Sequence, residues 1–170
     1  MLDIILLYKA DAQMFAGLAL LAAALVWGAG PEKASAGTFA YMLLVNFPLH
    51  WILGPGRHYS TVDYGVLFTD ATAAAMFLAI ALRANRMYTL WLAGLQMISL
   101  ASHPIREIDA RMLPLAYSVM SIAPSYLELI VIAGGLACHV RRVRRYGPYR
   151  SWLSSSSRSP ARAASGLRKG

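Results

Sequence analysis

The sequence predicts an all-α integral membrane protein: a bundle of about five transmembrane helices with short loops, followed by a disordered basic C-terminal tail. Three observations carry that expectation. Hydrophobic residues make up 58% of the 170-residue chain. Charged residues make up only 14%, against about 25% in soluble domains, too few to cover a water-exposed globule. Finally, the apolar residues fall into five stretches, each near the ~20 residues that a bilayer-crossing helix needs.

The first stretch runs over about 12–29 and stops at Gly30-Pro31-Glu32-Lys33, where Gly and Pro end a helix and the charges prefer water. The residues before it include Asp3, Lys9 and Asp11 and lack the basic start of a signal peptide, so the stretch is expected to be a retained span. The second covers about 37–53 and ends at Gly54-Pro55-Gly56-Arg57-His58. The third covers about 62–82, and Arg83-Ala84-Asn85-Arg86 divides it from the fourth, about 87–103. Pro104 to Arg111, with Arg106, Glu107, Asp109 and Arg111, precedes the fifth, about 113–140. Short connections make consecutive helices antiparallel neighbours. Residues 1–150 are therefore read as one bundle and 151–170 as a Ser/Arg-rich tail with too little apolar area to order itself.

The net charge of +8 belongs to the tail. Residues 141–170 hold nine Lys or Arg and no acid, while the rest is near neutral. A basic run directly after a membrane helix suits anionic lipid headgroups, and Arg141, Arg142, Arg144 and Arg145 are the expected contacts. No aromatic–basic interleaving accompanies the charge, so nucleic acid is not an expected partner. With five spans, Lys33, Arg83, Arg86 and the tail share one side, and Lys9, Arg57, Arg106 and Arg111 the other. The positive-inside rule then places the C-terminus in the cytoplasm and the N-terminus outside, as in a small bacterial inner-membrane protein. Trp27, Trp51, Tyr59, Tyr64, Tyr88, Trp91 and Tyr146 lie near helix ends, where aromatic belts form.

Ionisable residues inside an apolar helix are costly, and they mark a site or a partner. Asp70 sits about 12 Å into the third stretch at ~1.5 Å per residue, with Asp63 on the same face. Ala71, Ala75 and Ala79 follow at a spacing that lets a neighbouring helix approach closely. In the fifth stretch Tyr117, Ser121, Ser125 and Glu128 form a polar stripe beside Pro124, which frees a backbone carbonyl. Gln96 lies seven residues before His103 on one face. Asp70, Glu128, Asp63, Gln96, Ser121 and Ser125 are thus the candidate proton or ion site, or else hydrogen-bonded glue between helices. His50 and His103 end two helices at the same side, a weak candidate pair for haem or a metal ion. The single cysteine, Cys138, makes no disulfide or metal cluster within the chain and reads as a small hydrophobe. No nucleophile-elbow, zinc-protease, P-loop or dinucleotide motif is present, so no catalytic residue is assigned.

Three functions fit these residues. The leading expectation is a non-enzymatic accessory or assembly protein that docks on other membrane proteins or on itself. A second is a small transporter or proton-coupled carrier using Asp70 and Glu128. A third is a haem- or metal-binding membrane protein using His50 and His103.

Overall fold

The computed structural model describes residues 2–53, 64–108 and 113–152, and is all-helical, with no strand among the described residues. Five helices follow in order: α1 (Leu2–Trp27), α2 (Gly30–Leu53), α3 (Tyr64–Arg83), α4 (Tyr88–Ile108) and α5 (Pro114–Tyr146). Each packs on its neighbour in sequence, and α5 also touches α1 and α2, closing the bundle around a shared interior. Among the described residues, two stretches are long and apolar enough to cross a membrane: α3 and residues Val119–Tyr146 of α5.

The helices are longer than the apolar stretches. The Gly-Pro-Glu-Lys sequence does not separate α1 from α2; it begins α2 after a link of only Gly28 and Ala29. Pro31 stands in the first turn, where a missing N–H is harmless. Glu32 reaches back to accept the Ala29 N–H at 3.2 Å, so the acid caps the helix instead of facing water. Likewise α4 continues through Pro104 to Ile108, and α5 continues through its Arg-rich end to Tyr146. Gly147, with φ 81°, then stops α5 while its N–H bonds the Val143 carbonyl at 2.9 Å.

The rotation of α3 differs from the alanine expectation. Ala71, Ala75 and Ala79 face outward, while Thr69, Asp70, Ala73, Ala74, Phe77, Ile80 and Ala81 are buried. Hydrogen bonds to Asp70 turn this helix, and Ala71 lies about 100° away from Asp70 around it. The hydroxyls of Tyr41 and Thr72, 2.9 Å apart, tie α2 to α3.

The interior is part apolar and part polar: Phe39, Ala73, Phe77, Leu92 and Ile132 are buried together with polar side chains, while many large apolar residues are exposed. On α4 the buried residues include Thr89, Gln96, Ser99, Ser102 and His103. Leu90, Trp91, Met97, Ile98 and Ile105 of the same helix are exposed. Phe68, Leu82 and Ile130 are likewise exposed on α3 and α5, while Asp70 and Glu128 are buried on them.

Part of the expected tail is ordered. The Asn85 N–H bonds the Ser151 carbonyl at 3.3 Å, and Trp152 pairs with Ala84 and packs over Gly30. This segment returns to the end of the bundle because Gly30, lacking a Cβ, leaves room for the indole. Residues 153–170 lie outside the described residues.

Candidate functional site

Buried polar residues of α3, α4 and α5 meet around Asp70. Asp70 lies 3% exposed near the start of α3 and receives three helix-to-helix contacts from α4. Gln96 Nε2 donates to Asp70 Oδ1 at 3.2 Å and reaches the Asp70 carbonyl at 3.3 Å. The Ser99 hydroxyl lies 3.0 Å from Asp70 Oδ2 and also 3.0 Å from the Ser121 carbonyl on α5. His103 Nε2 stands 3.0 Å from Asp70 Oδ2.

The other nitrogen of His103 continues the chain. Nδ1 lies 2.9 Å from the Tyr117 hydroxyl of α5, and the two rings meet edge-on at 5.8 Å. A neutral imidazole with its proton on Nε2 satisfies both bonds: it donates to Asp70 and accepts from Tyr117. Asp70, His103 and Tyr117 thus form one hydrogen-bonded line across three helices. The spacing explains its assembly. Gln96, Ser99 and His103 repeat at three and four residues, which sets them on one face of α4.

Glu128 makes no hydrogen bond to this cluster among the described residues. It is fully buried on α5, and neither carboxyl oxygen has a hydrogen-bond partner among the described residues. The pairs Ser99–Ser121 and His103–Tyr117 fix one antiparallel register between α4 and α5. That register sets Glu128 level with Leu92, about one helical turn (~6 Å) from Gln96. Gln96 Oε1 is also buried without a partner. Glu128 and Gln96 together therefore present three buried oxygen acceptors with no donor among the described residues. Buried polar atoms are normally paired, so such an arrangement calls for a proton, a cation or water.

The other candidates fall elsewhere. Ser121 contributes its backbone carbonyl to Ser99. Ser125 faces α1, where Gln13 Nε2 donates to its hydroxyl at 2.9 Å. Asp63 and His58 lie outside the described residues, and so does the side chain of His50. At His103 both ring nitrogens are engaged, so a haem or metal ligand there must first break a bond to Asp70 or Tyr117. Among the described residues no three His, Cys, Asp or Glu side chains are grouped for a metal.

A second cluster, at the other end of the bundle, was hidden in what looked like loop charges. Glu32 of α2 pairs with Arg86 at 3.1 Å, and His139 Nδ1 stands 4.0 Å from the same carboxyl oxygen and 3.1 Å from the Tyr149 hydroxyl. The available signal was Glu32 three residues after Ala29, a helix-start pattern carrying an acid. Arg141, Arg142, Arg144 and Arg145 are all exposed on α5, and Arg142 stacks on Tyr149 in this cluster. Tyr88, expected in an aromatic belt, packs on Gly135 instead.

No protein-family model, no curated protein and no solved structure matches this chain.

Proposed function

We propose that the chain is a polytopic membrane protein that carries protons, or a solute coupled to them, through Asp70 and Glu128. The observation that carries this reading is the buried, unpartnered Glu128 carboxyl on α5, about one helical turn along the bundle from Gln96, which bonds Asp70. A bare buried charge costs several kcal/mol, and a proton or bound cation offsets that cost. Groups that exchange protons along hydrogen bonds then supply a path: Tyr117 to His103, and His103 to Asp70.

We place all five helices in the membrane, a reading supported by the large apolar residues exposed on their outer faces. Helix α4 has a modest mean hydropathy because its polar residues face inward, while Leu90, Met97 and Ile98 face outward, as a lipid solvent requires. The ends of α1, α3 and α5 come together through Glu32, Arg86, Trp152 and His139. This supports one common side for the Lys33, Arg83, Arg86 and tail charges, which we place in the cytoplasm, with the chain in a bacterial inner membrane. Lipid is the surrounding partner, and other membrane proteins or a second copy can dock on the outer faces.

The test is proton entry into vesicles that contain the purified protein and a trapped pH-sensitive dye. Wild type is expected to speed the response to an imposed pH step, and Asp70→Asn and Glu128→Gln to lower it at least about tenfold with the helical fold intact, the scale of one proton-transfer group. If both variants match wild type, the accessory reading takes precedence, because docking asks nothing of Glu128.

A further inference from the structure

Between α4, α5 and the returning segment lies a cleft of about 440 Å³, at the opposite end of the bundle from Asp70. Val131, Gly134 and Tyr88 give it an apolar wall, and Arg86, Arg142 and Tyr149 give it a cationic end. The Arg86 side chain is only 8% exposed. Its Nε bonds Glu32 and its Nη1 bonds the Asn85 carbonyl, but its Nη2 is buried with no hydrogen-bond partner among the described residues. The guanidinium carbons of Arg86 and Arg142 stand 4.4 and 4.3 Å from the centroid of one ring, that of Tyr149. Glu32 balances one of these two cations on the Nε side of Arg86. One positive charge and one buried donor are left at the mouth of an apolar groove.

That groove is kept open by composition. A Cβ built on Gly134 meets nothing within 4 Å, so the exposed face of α5 is open there, along the wall of the cleft. From Arg142 back to Val131 the helix spans about 16 Å at ~1.5 Å per residue, room for much of an acyl chain. A buried donor beside a second cation selects an anion, and the apolar wall selects one with a hydrocarbon body.

We propose that this cleft binds one anionic phospholipid. Arg86 Nη2 and the Arg142 guanidinium hold its phosphate, and an acyl chain lies along Gly134 and Val131. The proposal rests on the membrane placement above and is independent of the Asp70–Glu128 reading. It differs from diffuse attraction of the basic tail, because it needs two named cations and a groove.

The test uses the full chain in neutral detergent, with phosphatidylglycerol, phosphatidylcholine or inorganic phosphate added. Native mass spectrometry counts retained lipid, and maleimide labelling of Cys138, the only cysteine and one that lines the cleft, reports occupancy. Phosphatidylglycerol is expected to stay as a single adduct and to slow labelling about tenfold, while Arg142→Gln weakens that retention about tenfold, the scale of one charge-assisted hydrogen bond. Gly134→Leu fills the groove where no atom stands in the way, and should lose the adduct while unfolding like wild type. Equal retention of phosphatidylcholine, or retention by both variants, overturns the site. Protection of Cys138 by inorganic phosphate alone overturns the lipid and leaves a simple anion site. A chain that does not enter vesicles at all overturns the membrane placement, a result distinct from the other outcomes.

Discussion

His103 Nε2 lies 3.0 Å from Asp70 Oδ2, with both side chains buried between α3 and α4. Sequence position separates them by 33 residues, yet together they organise the cluster, because Gln96 and Ser99 attach to Asp70 and Tyr117 attaches to His103. Asp70 is the acceptor for the imidazole, Gln96 and Ser99. Removing it with Asp70→Ala strands those donors and should lower stability by about 3 kcal/mol, the scale for breaking a buried charged contact. Asp70→Asn keeps an acceptor oxygen and should cost less. Unfolding in detergent followed by circular dichroism measures both.

Tyr117 tests the far side of the imidazole. Tyr117→Phe keeps the buried ring and removes the bond to His103 Nδ1, at a cost of about 1 kcal/mol. Nitrogen-15 spectra of labelled His103 should show Nδ1 losing its hydrogen-bond shift while Nε2 keeps its own. An unchanged Nδ1 resonance would mean that the bond is not made in the membrane.

Glu128 should separate stability from function. The carboxyl has no partner to lose, so Glu128→Leu is expected to leave stability unchanged or raise it by about 1 to 2 kcal/mol, as when buried charges give way to apolar residues. The same variant should abolish proton entry into vesicles. A large destabilisation by Glu128→Leu would show that the side chain holds the bundle together instead.

Glu32 governs the opposite end. Glu32→Ala leaves Arg86 Nε and the Ala29 N–H without their acceptor and should cost about 3 kcal/mol. The returning segment depends on this end through Asn85–Ser151 and the packing of Trp152 over Gly30. Trypsin cleavage after Arg150 should therefore speed up in Glu32→Ala relative to wild type.

The existence and order of the helices were legible because apolar stretches and Gly/Pro breaks are local signals. The starts of α2 and the ends of α4 and α5 were not, because Glu32, Pro104 and Arg144 look like breaks until capping and packing absorb them. The individual polar residues of the site were legible too: Asp70, Gln96, Ser121, Glu128 and His103 each stand out against an apolar background. Their assembly was not. His103 was grouped with His50 by depth, whereas its partners are Asp70 and Tyr117, fixed by the register of α4 against α3 and α5. The same reason hid Glu32 and Arg86, which are 54 residues apart in sequence. The alanine spacing on α3 misled because small residues suit both a helix contact and a lipid-facing surface; hydrogen bonds to Asp70 decided which face turned inward.

The most direct measurement of the central claim is infrared difference spectroscopy of the protein in vesicles during a pH change. It detects the carbonyl stretch of a protonated carboxyl without any knowledge of the solute. The account predicts a carboxyl band that appears and disappears with pH in wild type and is missing in Glu128→Gln, with a second change lost in Asp70→Asn. A spectrum in which neither carboxyl responds across the range where the fold is stable, with both variants identical to wild type, would contradict proton handling by this site.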